Sequence, residues 1–272
     1  MVTSEGLTTA AGEVEVRGCR VVYRCLGDPG LPALMLIHGG AAHAGWWTPA
    51  ANLLADRWRV ILPDLSGHGD SGHRESYAGE VWAEEMRTIL EVTGTRAAAV
   101  VGHSMGGLVA LATAARSERV DRLVLVDSRL PLRGLPLPHQ EPKHYATAQE
   151  ALSRFRLLPD RTVAEPTLLR ELAVRGLIEA ADGWRWRFDP RARRRLTNEG
   201  VAADLARLRG PIGYLYGEES DMGGPGSVSF LEESLGRRIP AVAVPGAFHH
   251  VPLDQPARCA AAIEMLLAQM GS

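Results

Sequence analysis

The stretch Ala97-Ala98-Ala99-Val100-Val101-Gly102-His103-Ser104-Met105-Gly106-Gly107-Leu108 decides the fold. Its first five residues are continuously apolar, as in a short strand buried on both faces. Leu108 to Ala115 then reads as an Ala/Leu-rich helix that would pack against the sheet. Between them stands Gly-x-Ser-x-Gly, the pattern of a sharp strand-to-helix turn that lifts a serine hydroxyl above the end of a sheet. The turn is so tight that Gly102 and Gly106 must lack Cβ atoms for strand and helix to approach. Ser104 is then held in a strained conformation with Oγ exposed. The helix that starts behind it adds partial positive charge where an oxyanion would develop.

Working outward, three more apolar runs bounded by Gly, Pro or Asp have the same character: Ala33–Ile37, Leu123–Val126 and the shorter Arg59–Leu62. Ser76 to Val92 carries Val81, Trp82, Met86, Ile89 and Leu90 at helical spacing. Ile212–Tyr216 and Ile239–Val244 repeat the strand pattern, and Gln255–Met270 reads as a closing helix. Glu13–Arg17 and Arg20–Leu26 alternate polar and apolar residues, as an antiparallel hairpin at a sheet edge does. Alternating strands and helices after an antiparallel start predict an α/β fold with a mostly parallel sheet and a site at the carboxyl ends of its strands.

One stretch breaks the rhythm. From Arg129 to about Leu208 the chain opens with Pro131, Pro136, Pro138 and Pro142, shows helical patterns at His144–Phe155 and Pro166–Ala180, and continues through Trp184-Arg185-Trp186-Arg187-Phe188. No buried parallel strand is predicted there. A long insertion of this kind is expected to form a helical cap over a site. The division is then 1–128 with 209–272 as the core, and 129–208 as the cap.

The chain has 272 residues, 46% hydrophobic and 23% charged, with a formal net charge of −2. That balance provides no overall field to recruit nucleic acid or an anionic membrane, which leaves a small molecule as the expected partner. Cys19, Cys25 and Cys259 form no Cys-x-x-Cys pair and are expected to be structural thiols. Met1 to Ala10 has neither a basic nor an apolar leader region, and no apolar run approaches the roughly 20 residues of a membrane span. A cytoplasmic location is the expectation.

Two further segments bear on the chemistry. His38-Gly39-Gly40-Ala41 follows the first buried strand, and Asp64-Leu65-Ser66-Gly67-His68-Gly69-Asp70-Ser71 follows the next. With the Ser104 turn, in this order, they make the chain resemble the α/β-hydrolase superfamily over most of its length. The resemblance implies an eight-stranded, mostly parallel sheet flanked by helices, with Ser104 as nucleophile. It also makes His38–Ala41 an oxyanion loop. The oxyanion donors would be the backbone N–H of Met105 and that of Gly40, with Ala41 the alternative for the second. His38, His43, His68 and His73 are expected to satisfy backbone groups, and His103 to have no catalytic part.

A serine hydroxyl needs a base to take its proton, and imidazole serves near neutral pH. Gly246-Ala247-Phe248-His249-His250 resembles the family's histidine loop and selects His249, with His250 as its rival. The acid falls between them in chain order. Gly217-Glu218-Glu219-Ser220-Asp221 follows the strand ending at Tyr216. Many members of the family carry the acid three residues after the glycine, where Ser220 stands here, so Asp221 is the expected acid. Asp127, at the end of Leu123–Val126, is the alternative, because some relatives place the acid there.

Trp46, Trp47, Phe155, Trp184, Trp186 and Phe248 are candidate pocket walls. The run Pro190–Arg195 would suit an anionic acyl carrier, a coenzyme A group or a substrate carboxylate but reads better as a solvated cap face. No His-Glu-x-x-His, paired Cys-x-x-Cys or Gly-x-x-x-x-Gly-Lys-Ser/Thr spacing occurs, so neither metal nor cofactor is expected. The resemblance points to hydrolysis of a carboxylic ester, lactone or thioester. A lyase or cofactor-free oxygenase using His249 as base, or a ligand receptor with a vestigial triad, remains compatible with the fold.

Overall fold

The computed structural model describes residues 10–133, 141–192 and 196–271. Pro136, Pro138 and Arg193-Arg194-Arg195, singled out above, lie outside them. The chain begins with the antiparallel pair β1 (Ala10–Val16) and β2 (Cys19–Leu26). It then alternates through β3 (Ala33–Ile37), α1 (Thr48–Leu54), β4 (Arg59–Pro63), α2 (Gly79–Val92), β5 (Ala98–His103), α3 (Met105–Ala114) and β6 (Val120–Val126). The 129–208 stretch supplies β7 (His144–Tyr145), α4 (Ala148–Ser153), α5 (Pro166–Arg175), β8 (Leu177–Ala180), β9 (Gly183–Trp186) and α6 (Asn198–Arg207). The alternation resumes with β10 (Ile212–Gly217), α7 (Pro225–Leu235), β11 (Ala241–Val244), α8 (Val251–Asp254) and α9 (Pro256–Gln269).

Eight strands join in the order β1-β2-β4-β3-β5-β6-β10-β11. Only the β1–β2 and β2–β4 pairings are antiparallel. The central strands are apolar throughout because both faces are covered. Met35, Ile37, Ile61, Val100, Leu123 and Leu125 point to the side packed by Trp82, Met86 and Ile89 of α2 and Val109 of α3. Leu34, Leu36, Val60, Leu62, Val101 and Val124 point to the side packed by Leu54 of α1 and Ile263 and Leu266 of α9. The period-two alternation of a strand thus divides one apolar run between two cores. Cys19, Cys25 and Cys259 are buried free thiols.

The insertion differs from the helical cap expected for it. Within it β7, β9 and β8 form a separate antiparallel sheet, so the pattern at Pro166–Ala180 is a helix followed by a strand. The insertion is tied to the core at several points. The His43 ring meets the Leu172 carbonyl at 3.1 Å, the Val163 N–H donates to Asp254 at 3.0 Å, and Arg187 pairs with Asp70 at 3.0 Å. Among the described residues no helix is long and apolar enough to cross a membrane.

The turn between β5 and α3 has the close approach that the glycine pattern requires. A Cβ on Gly102 would lie 2.1 Å from the Gly106 carbonyl oxygen, and one on Gly106 would lie 2.3 Å from that of His38. Both obstacles are backbone, which cannot step aside. Gly106→Ala is therefore expected to cost about 3 kcal/mol of stability, the upper end of ordinary overpacking. A urea unfolding midpoint unchanged from wild type would contradict this packing.

Candidate active site

Ser104 links β5 to α3 with φ 54° and ψ −120°, a conformation that non-glycine residues rarely adopt. Its N–H donates to the Val126 carbonyl at 2.8 Å, and its own carbonyl accepts from the Ser128 hydroxyl at 2.8 Å. The strained residue is thus fixed on both of its backbone groups, by the last residue of β6 and by the turn that follows it. Met105 is the first residue of α3, where N–H groups have no acceptor within the helix. Gly40 lies against it, since a Cβ on Gly40 would meet the Met105 side chain at 3.5 Å. Ala41 follows at φ 59° and turns the loop. Gly40, Ala41, Ser104, Met105 and His249 all line one cavity of about 540 Å³.

His249 is 4% exposed, and its Nδ1–H donates to Asp127 Oδ2 at 2.7 Å. That bond turns Nε2, the nitrogen able to accept a proton, to the opposite side of the ring. The structure brings Asp127 to the histidine and does not bring Asp221. The Asp221 side chain is 75% exposed and pairs with Arg161 at 3.1 Å. Asp221 is therefore corrected as the partner of His249. The physical reason lies in the loop after β10, which folds over Asp127 and supplies donors to its carboxylate. The Gly217 N–H reaches Oδ1 at 3.0 Å, while the Ser220 hydroxyl and the Gly223 N–H reach Oδ2 at 2.7 and 3.2 Å. A side chain at Gly223 would lie 2.7 Å from Oδ1. Ser220 occupies the place where an acid was sought, and it donates to the acid instead.

Ser128 and Tyr214 were not singled out from the sequence, whereas Asp127 was its alternative acid. Asp127 itself is fully buried at φ 49°, just past the end of β6. Tyr214 on neighbouring β10 is also fully buried and donates to the Ser128 carbonyl at 2.6 Å, which pins the same turn. The missing carboxylate at Ser220 was the available signal for Asp127. Nothing in the sequence pattern marks Tyr214 or Ser128.

The histidines of the other loops bond to backbone groups. His38, His43, His68 and His73 each bond a backbone carbonyl, of Gly39, Leu172, Ser66 and Arg187 respectively. His103 Nε2–H donates to the His249 carbonyl at 2.8 Å and so holds the backbone of the histidine loop. His250 directs Nε2–H to the Pro159 carbonyl at 2.8 Å rather than to a carboxylate. Of the candidate walls, Trp46 and Phe155 line the Ser104 cavity, whereas Trp47 is buried in the core beneath α1.

The match to known proteins follows this geometry. Residues 32–176 fit the family model for the alpha/beta hydrolase fold, and the chain belongs to that family. An uncharacterized protein of Mycobacterium tuberculosis is 40% identical over 115 residues, 42% of this chain. That match spans only 33% of the mycobacterial protein's length. The mouse sn-1-specific diacylglycerol lipase ABHD11 is 27% identical over 271 residues, covering 93% of this chain and 87% of the lipase. Among solved structures, the thioesterase domain from the curacin biosynthetic pathway superposes with a TM-score of 0.80 at 24% identity, over 94% of this chain and 99% of that domain.

Two outcomes are expected. Asp127→Asn is expected to lower turnover of an activated ester about 10⁴-fold, because it spoils the tautomer and orientation of the imidazole. Asp221→Asn is expected to stay within twofold of wild type. Equal losses in the two variants would contradict the assignment.

The second outcome concerns pH. Burial lowers the pKa of His43 and His250 from 6.5 to about 4, and also depresses His38, His68 and His103. These rings stay neutral in the folded protein while the unfolded chain takes up protons below pH 6.5. Stability is then full above about pH 7 and declines as pH falls towards 4, by up to about 1.4 kcal/mol per histidine per pH unit. Urea midpoints at pH 7.5 and 5.5 measure the effect, and an equal midpoint at both would contradict it.

Proposed function

We propose that the protein is a cofactor-free hydrolase that cleaves a small-molecule carboxylic ester, lactone or thioester through an acyl-Ser104 intermediate. The observation that carries this reading is the strained Ser104 sharing a cavity with His249, whose Nδ1–H is held by buried Asp127. A serine at this turn favours acyl transfer, since direct displacement at a saturated carbon is work for a carboxylate nucleophile.

In the proposed reaction Ser104 Oγ attacks the carbonyl carbon while His249 Nε2 takes the hydroxyl proton. Negative charge moves to the carbonyl oxygen, which would accept hydrogen bonds from the N–H groups of Met105 and Gly40. The C–O or C–S bond to the leaving group then breaks, and His249 returns the proton to that group. Water deprotonated by His249 attacks the acyl-serine, and as the acyl C–Oγ bond breaks His249 returns that proton to Ser104 Oγ and the acid is released. Asp127 stabilises the imidazolium in both steps without accepting its proton. The family match and the lipase and thioesterase relatives support a hydrolytic reading of this site.

The test is turnover of p-nitrophenyl esters from acetate to octanoate. Ser104→Ala is expected to lose at least about 10⁴-fold in kcat/KM, as removal of a nucleophile does elsewhere. An acyl adduct on Ser104 should be trapped by rapid acid quench of the wild-type protein. Equal rates for the two proteins would overturn the proposal.

A further inference from the structure

The cavity above Ser104 has an unusual charge balance. Arg129, Arg133 and Arg156 line it, and no aspartate or glutamate does among the described residues. Segments 134–140 and 193–195, which flank lining residues in the chain, also contain no Asp or Glu. The rest of its wall is largely hydrocarbon, including Leu108, Leu132, Phe155, Leu158, Leu196 and Met222.

Elsewhere in the protein arginines are held in two ways. Arg24, Arg57, Arg74, Arg116, Arg187 and Arg191 each pair with an Asp or Glu. Others, such as Arg59, Arg119 and Arg258, donate to backbone carbonyls, and Arg129 and Arg156 in the cavity are held in this second way. Arg129 donates from Nε to the Met222 carbonyl at 3.3 Å and from Nη2 to the Asp221 carbonyl. Arg156 donates to the carbonyls of Ser153 and Phe155. Neutral carbonyls orient a guanidinium and leave its charge uncompensated. Beside Arg129, Asp127 is already engaged by His249 and Asp221 by Arg161. In a chain whose formal charge is −2, this is a local concentration of positive charge in a largely apolar cavity with no carboxylate among its described lining residues.

We infer that the cavity selects a substrate with a hydrocarbon body and an anionic group, a carboxylate or a phosphate. Arg129, Arg133 and Arg156 seat the anion while the scissile carbonyl faces Ser104; this rests on the hydrolytic reading above. Guanidinium planes match both kinds of oxyanion by paired N–H donors. Adjacent apolar walls lower the local dielectric and strengthen the attraction. The two anion sources differ in where the charge sits. A carboxylate would belong to the acyl chain, and a phosphate to the leaving group, as in an acyl-pantetheine thioester.

Two matched pairs separate them. Mono-p-nitrophenyl adipate against p-nitrophenyl hexanoate varies only the distal carboxylate. Hexanoyl-4′-phosphopantetheine against hexanoyl-pantetheine varies only the phosphate. The wild-type protein is expected to prefer the anionic member of one pair at least tenfold in kcat/KM, mostly through KM. Arg129→Gln combined with Arg156→Gln should reduce that preference to less than twofold, and Arg133→Gln should reduce it partway. Arg238→Gln, outside the cavity lining, should leave the preference as it is. The pair that responds identifies the anion.

A binding readout keeps the inference independent of turnover. Ser104→Ala protein should bind adipate or coenzyme A by calorimetry, and at least tenfold more weakly with the arginines replaced. Binding of neither probe, or ratios and affinities indifferent to the arginine substitutions, would overturn the inference. Arginine-dependent binding without Ser104-dependent hydrolysis would instead overturn the hydrolytic reading and leave the anion site standing.

Discussion

The buried carboxylate of Asp127 accepts hydrogen bonds from Gly217, Ser220, Gly223 and His249, at a point where the chain leaves β6 through a positive φ. An ionised carboxylate out of water is tolerated only when its lone pairs are answered, and here four donors from two loops answer them. Much of the site's order follows from that requirement. The loop after β10 must curl over the end of β6 to deliver its donors, and the histidine loop after β11 must bring one imidazole to the remaining place. Ser128, next in the chain, reaches back to the Ser104 carbonyl, so the residue that steadies the histidine is followed by one that steadies the strained serine.

The same geometry explains how much could be read in advance. Runs such as Ala33–Ile37 and Leu123–Val126 announce strands buried on both faces because an apolar run that short has few other uses. The Ser104 turn is legible because Gly102 and Gly106 meet backbone at 2.1 and 2.3 Å, a constraint that leaves its mark on residue type. His249 stands in a loop of recognisable composition. The acid was harder. Asp127 and Asp221 both follow a strand of the sheet, and their roles are separated by which loop closes over which, a matter of tertiary packing. Ser220, a hydroxyl where a carboxylate was sought, held the answer in plain view.

The insertion shows a different kind of loss. Trp184, Arg185 and Trp186 alternate as a strand does, but its partners His144–Tyr145 and Leu177–Ala180 are short enough to be absorbed into the helical patterns beside them. The helices at Asn198–Arg207 and Pro225–Leu235 went unmarked, although Thr197 caps the first through the Gly200 N–H and Pro225 opens the second. Each buries few residues, Val201, Asp204 and Leu205 in the first and Ser227 and Leu231 in the second. The cavity arginines were invisible for a related reason. Arg129, Arg133 and Arg156 are spread along the chain in three places, whereas the run at 190–195 drew attention by being contiguous.

The central claim is that Asp127 and His249 together make Ser104 a nucleophile. A fluorophosphonate probe reads this directly without knowledge of the substrate, because it reacts only with an activated serine. After brief labelling and proteolysis, mass spectrometry of the wild-type protein should place the adduct on the peptide containing Ser104, and His249→Ala should lose it. An unlabelled Ser104 in folded wild-type protein, or equal labelling in His249→Ala, would contradict the account.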